Sequence, residues 1–155
     1  MKPYITYDEF KKLDMRIGTI RFLEPVEGAD KLLRCEIDFG PVIGDSGAEQ
    51  ITAEEIESGD ESAEVVHEVV ADDKAPFGKE AYRGRDVRQI VSGIREFFPD
   101  YEQLIGKQVL YIVNLEPRTI RGIESHGMLM AVDGMDGAPV FLTPEVPVEA
   151  GSSVR

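Results

Sequence analysis

Apolar positions in this chain recur mainly at every second residue, not at the three- and four-residue steps of a helix. The run from Met15 to Leu23 alternates in this way, a polar connection follows from Pro25 to Asp30, and the stretch from Leu32 to Phe39 alternates again. A period of two puts one set of side chains on a buried face of a sheet, so the two runs predict an antiparallel pair. Arg88 to Ile94 predicts a third strand, Gln108 to Val113 a fourth, and Met128 to Val132 a fifth that ends at the turn signal Asp133-Gly134. Helical signals are few. Thr6 with Glu9 three residues on has the form of a capping box and predicts a short helix over 7–13, expected to plug one end of a barrel; Pro99 and Gly106 bracket a second, between the third and fourth strands. Five strands with a helix before the fourth is the chain order of the OB-fold, a Greek-key barrel that binds oligonucleotides on one face and through its first-second and fourth-fifth loops. The expected fold is therefore all-β, a five-stranded OB-fold Greek-key barrel with a short helix and end extensions. The last extension, from Ala138 to Arg155, holds another short strand and an extended arm that either caps the barrel or pairs with another subunit.

One segment breaks the pattern. Between the second and third strands, where a compact barrel turns in a few residues, the chain runs from Pro41 to Asp86. This predicts an acidic insertion, 41–86, within a single 1–155 domain. It carries 13 Asp and Glu against 4 Lys and Arg, which leaves 17 acids and 13 bases elsewhere out of a net charge of -13. Most of the acidity is thus local. The remainder can carry a basic patch, because fields at physiological salt act over only about 8 Å. Lys79, Arg83, Arg85 and Arg88, interleaved with Phe77 and Tyr82, form one basic stretch, whose simpler reading is a solvated loop paired with nearby acids.

The candidate chemistry lies between the fourth and fifth strands. Asn114, Arg118, Arg121, Ser125 and His126 are all donors suited to phosphate, sugar or base edges, in a chain otherwise dominated by acid. Catalysis finds little support. No nucleophile stands with a base, no glycine loop has a phosphate-cradling form, and His67, His126 and Cys35 lack the close spacing of a zinc site, so neither metal nor cofactor is expected. Asp133 to Gly137 resembles a calcium loop but lacks the closing glutamate and reads as a hairpin turn. Cys35, the single cysteine, sits in an alternating run and reads as a buried small hydrophobe. No run approaches a membrane span and the amino terminus has no signal-peptide core, so a cytoplasmic location is expected.

Several blocks resemble the tRNA-binding domain family, which occurs as stand-alone dimeric proteins, as the carboxy-terminal extension of methionyl-tRNA synthetases, in cytokine-like synthetase partners and in a secretion-chaperone branch. They run, in the family's order, through Asp8–Gly18, Val26–Leu32, Arg88–Ile94, Leu104–Lys107, Asn114–Arg118, Arg121–Met128 and Gly151–Arg155. The resemblance implies tRNA binding by structure and not by sequence, and a homodimer in the free-standing form. Carried over residue by residue, it places Lys31 and Arg34 at basic positions near the first-second connection, and Arg118, Ser125 and Met128 among the tRNA contacts, with Asn114 and Arg121 in the same block. It also implies an aminoacyl-tRNA synthetase as a partner or, on the chaperone branch, an unfolded polypeptide.

Overall fold

The computed structural model describes residues 2–42 and 83–155, so most of the acidic insertion lies outside the described residues. Strands β1 (Met15–Pro25), β2 (Leu33–Pro41), β3 (Arg85–Ser92) and β4 (Gln108–Ile112) follow the alternating runs. They form one antiparallel sheet in the order β3-β2-β1-β4-β7, where β7 is Met128–Leu129. This curled sheet is the expected all-β, OB-like fold. Leu33, Cys35, Ile37 and Phe39 of β2 project into a core shared with Ile20, Ile90, Leu104, Val109 and Tyr111. Burying each large apolar side chain is worth roughly 1.5–3 kcal/mol. Phe39 and Tyr111 meet edge to face with ring centroids 5.5 Å apart.

The opposite face of β2 is also covered, which alternation did not predict. Arg34, Glu36 and Asp38 are all buried. Arg34 donates to Glu24 of β1 and to Glu36, each at 2.9 Å. Asp38 accepts from Arg21 (2.7 Å), Arg85 (2.8 Å) and the Gly40 N–H (2.9 Å). A register shift between Ile20 and Phe22 leaves Arg21 as the extra residue of a bulge, which turns its guanidinium toward Asp38. Burial alone would raise the Asp38 carboxyl, but the bonds from Arg85, Gly40 and Arg21 outweigh it and hold the pKa below its ordinary value.

Three expectations need correction. The predicted helix is a single turn, α1 (Tyr7–Phe10), with the full Thr6–Glu9 capping box, but it buries no residue and plugs nothing. The second helix is a 3-10 turn at Tyr101–Leu104, too short for an α-helical ladder, and its one buried side chain is Leu104. The fifth strand divides at Met130. Met128–Leu129 pairs with β4, whereas β8 (Ala131–Asp133) pairs with β9 (Pro139–Phe141) in a separate hairpin closed by Gly134 N–H to Ala138 O at 2.8 Å. Leu142 causes the division: it accepts from Leu110 N–H and donates to Met130 O, occupying ladder positions that a longer β7 would take.

The carboxy-terminal arm caps its own barrel. Gly151 N–H donates to Ile17 O (2.7 Å), Ile17 N–H to Ser152 O (2.9 Å) and Val154 N–H to Met15 O (2.9 Å), so the arm extends the sheet beside the start of β1. Upstream, the Gln108 amide bonds Val148 at both its N–H (2.9 Å) and its carbonyl (2.6 Å). The arm crosses the end of β2 where two glycines meet. A Cβ on Gly151, whose φ is +88°, would lie 2.0 Å from Phe39 O, and one on Gly40 would lie 2.3 Å from Ala150 O. Gly151→Ala should therefore release the arm, lowering stability by roughly 2 kcal/mol in urea unfolding and exposing the Ile17 amide to hydrogen exchange.

A second prediction follows from Asp38. Asp38→Asn should cost about 2 kcal/mol at neutral pH, less than a fully buried pair because both arginine side chains are partly exposed. The folded pKa is depressed, so this stabilisation is present above the ordinary carboxylate value and lost as pH falls through the lowered one. The gap between the two proteins in urea unfolding should close on acidification.

Candidate functional site

The segment between β4 and β7 was expected as a loop and is instead a hairpin. β5 (Arg118–Ile120) pairs with β6 (Ile123–Ser125) in the register Arg118 to Ser125, Thr119 to Glu124 and Ile120 to Ile123. Arg121 and Gly122 make the two-residue turn with φ of +53° and +82°, the primed geometry that matches strand twist. Arginine at the first of these positions is unusual, since asparagine, aspartate or glycine adopts that backbone at lower cost. The guanidinium is thereby held at the hairpin tip.

The hairpin is fastened to β3 and closes the open side of the curled sheet. His126 N–H donates to Gln89 O (2.9 Å), the Gln89 side-chain amide donates to Glu124 O (2.8 Å), and Val91 N–H donates to Ser125 Oγ (3.0 Å). Arg34 donates to the Gln89 carboxamide oxygen and orients it. Two of the expected site residues are thus bonded into this seam. The Ser125 residue is 5% exposed and its hydroxyl accepts from β3; the Arg34 side chain is 4% exposed and enclosed by Glu24, Glu36 and Gln89. Both polar groups are engaged within the fold, although Ser125 also lines the cleft beside the hairpin. The sequence showed the arginine but not the two carboxylates that fold onto it.

Asn114 is also engaged: its side chain accepts from Asp14 N–H (2.8 Å) and donates to Lys12 O (2.5 Å), tying the end of β4 to the approach to β1. His126 lies with Nε2 3.3 Å from a Glu124 carboxylate oxygen. Lys31 is exposed on the β1–β2 connection, 3.0 Å from Glu96. Arg118 and Arg121 are exposed and, among the described residues, form no ion pair. Within the basic stretch, Arg85 is held by Asp38 and Arg88 by Asp86 at 2.8 Å, while Phe77, Lys79 and Tyr82 lie outside the described residues.

A cleft of about 360 Å³ opens between the hairpin and the end of β3. Ser92, Gly93 and Ile94 form one wall, Leu115, Arg118 and Ile120 another, and Met128 closes it. Leu115 and Met128 remain 40% and 45% exposed. Sequence reasoning missed Leu115, an apolar residue beside a strand end, and Arg95, which follows the first wall and whose N–H donates to Lys31 O (3.1 Å). That bond brings the β1–β2 connection to the same end of the barrel as the cleft. The described residues contain no cluster of three or more His, Cys, Asp or Glu able to hold a metal ion, and no helix long and apolar enough to cross a membrane. The Cys35 thiol is pushed up to about 12 by burial, so no reactive thiolate forms near neutrality.

An all-β barrel of OB type, with a basic hairpin closing its fourth-fifth connection, defines the class of this protein. Residues 77–153 match the family model described as "Putative tRNA binding domain", and the chain belongs to the tRNA-binding domain family. It is 34% identical over 154 residues to the methionine–tRNA ligase of Methanothrix thermoacetophila, covering 99% of this chain and 16% of that protein. It is 32% identical over 155 residues to the corresponding ligase of Parabacteroides distasonis, again 16% of its length. The chain thus spans about a sixth of these relatives. Among solved structures, a MetRS-related protein from Pyrococcus horikoshii superposes with a TM-score of 0.64 at 24% identity over the whole of both chains. The chaperone CsaA of Bacillus anthracis gives 0.61 at 20% identity, covering 99% of this chain and all of the other. At these identities the two superpositions establish the shared fold.

Proposed function

We propose that this chain is a non-catalytic tRNA-binding protein whose ligand is held by the hairpin, with Arg118 and Arg121 on phosphates and Lys31 at the neighbouring connection. The observation that carries the reading is a contrast in charge pairing. Arg16, Arg21, Arg34, Arg85 and Arg88 each lie against a carboxylate, whereas Arg118 and Arg121, like Arg95 and Arg155, have no such partner among the described residues, and these two stand together on one exposed hairpin. A carboxylate in contact already neutralises a guanidinium, so the two arginines without one, Arg118 at the root of the hairpin and Arg121 at its tip, gain most from a phosphate. The family match supports tRNA as the source of that phosphate. Methionine–tRNA ligases among the relatives support an accessory role beside a synthetase. Arg34 and Ser125 serve as supports for the hairpin, Asn114 fixes its root, and Met128 belongs to the cleft.

The unit acts as one domain, with the acidic insertion branching from the β2–β3 stem, and works as a homodimer presenting two hairpins. Light scattering at micromolar concentration should give about twice the 17.2 kDa of one chain; a mass near one chain would rule the dimer out. A second reading, a peptide-binding chaperone or assembly factor, draws on the apolar wall of the cleft, where Leu115 and Met128 are exposed.

The two readings separate in a salt series. The intact chain should bind tRNA saturably, and Arg118→Ala/Arg121→Ala should weaken binding about tenfold or more at low salt while reducing the log-log salt slope by roughly 1.4–1.8. Absence of tRNA binding at low salt, together with clear affinity for an unfolded polypeptide, would give the protein to the chaperone reading.

A further inference from the structure

We infer that the cleft beside the hairpin is a receptor for one unstacked base of the bound RNA, so that the protein needs an unpaired nucleotide and not only a backbone to grip. This rests on the proposal that RNA is the ligand and adds what part of it enters the protein. Three features lead there.

The cleft's size comes first. At about 360 Å³ it lies near the lower end of the roughly 300–1,000 Å³ usual for small-molecule pockets, a scale that admits a single base with part of its sugar and excludes a duplex. The second feature is the chemistry of the walls. Leu115, Ile120, Met128 and Ile94 are apolar, and the exposed Met128 thioether offers a polarizable surface to the face of a base. Met128 is held in ladder register with Ile112, so that surface is fixed before any ligand arrives.

Third is the sign of the charge at the rim. Arg118 and Glu116 both line the cleft. Arg118 can hold the phosphate of an entering nucleotide, while Glu116 opposes a second phosphate following it inside. The uncharged part of the nucleotide is what the walls accept. Arg118 faces Ser125 across the β5–β6 register, and Ser125 is anchored to Val91 on β3. The phosphate contact is therefore braced by β3 and the Met128 surface by β4, one on each side of the cleft.

The test uses the intact protein and tRNA transcripts each lacking the base, but not the sugar or phosphate, at one unpaired nucleotide. One abasic position should weaken binding about tenfold without changing the salt slope, since base stacking is lost and no phosphate contact is. Leu115→Ala/Met128→Ala should weaken binding of the complete tRNA to a similar extent, and should cost almost nothing further against that abasic tRNA, because both changes remove one interaction. Both side chains are substantially exposed, so the variant should retain the melting temperature of the parent.

If every abasic tRNA binds within about twofold of the complete one, the base receptor is overturned while RNA binding stands. If the double variant loses affinity for an unfolded polypeptide and not for tRNA, the cleft belongs to peptide and the inference is equally overturned. Failure of tRNA itself to bind at low salt would instead sink the underlying proposal.

Discussion

The seam between β3 and β6 governs the functional end of this molecule. The curled sheet has β3 at one edge and β7 at the other, and an open edge of this kind would leave backbone groups without partners. Closure comes from a mixed set of bonds: one backbone pair from His126 to Gln89, one side-chain amide from Gln89 to Glu124, and one hydroxyl, Ser125, that accepts from Val91. Side chains complete a ladder that backbone alone does not. The geometry of the basic hairpin thus depends on the rotamers of Gln89 and Ser125, and the rotamer of Gln89 depends in turn on Arg34.

That dependence gives buried charge a structural meaning. Arg34 is surrounded by Glu24, Glu36 and Gln89, and Asp38 by two arginines and an amide. Such pairs contribute little net stability against an apolar alternative, because desolvation offsets most of the attraction. They do fix direction. The β2 face opposite the core becomes a set of paired charges with definite orientations, and the cations left on the hairpin stand out against it.

The main strands were legible because alternation is a strong signal when one face is buried, and β1 to β4 follow it with small differences at their ends. The capping box at Thr6 was legible for a similar reason: its two residues interact with each other and require nothing distant. The failures share a cause. The β5–β6 hairpin is short, with no alternation long enough to register, and its turn uses Arg121 in place of asparagine or aspartate. The division of the fifth strand at Met130 depends on Leu142, and the fate of Arg34 on three residues elsewhere in the chain. Candidate site residues were chosen by side-chain chemistry and by the family resemblance, and neither registers which groups the fold has already engaged. Whether a group is already engaged is decided by tertiary packing, as Ser125 and Asn114 both illustrate.

The stem of the insertion has a consequence for how such a barrel can diversify. Val42 N–H donates to Gly84 O at 3.0 Å, and Pro41 stands opposite Arg85 in the β2–β3 register. Both ends of the intervening chain are therefore fixed at one ladder spacing. The cost of closing a flexible loop across fixed ends rises only with the logarithm of its length, about 0.6 kcal/mol for each doubling. A change in the length or charge of that connection therefore carries a small thermodynamic expense at the stem, while the hairpin keeps its own anchors toward the opposite end of β3.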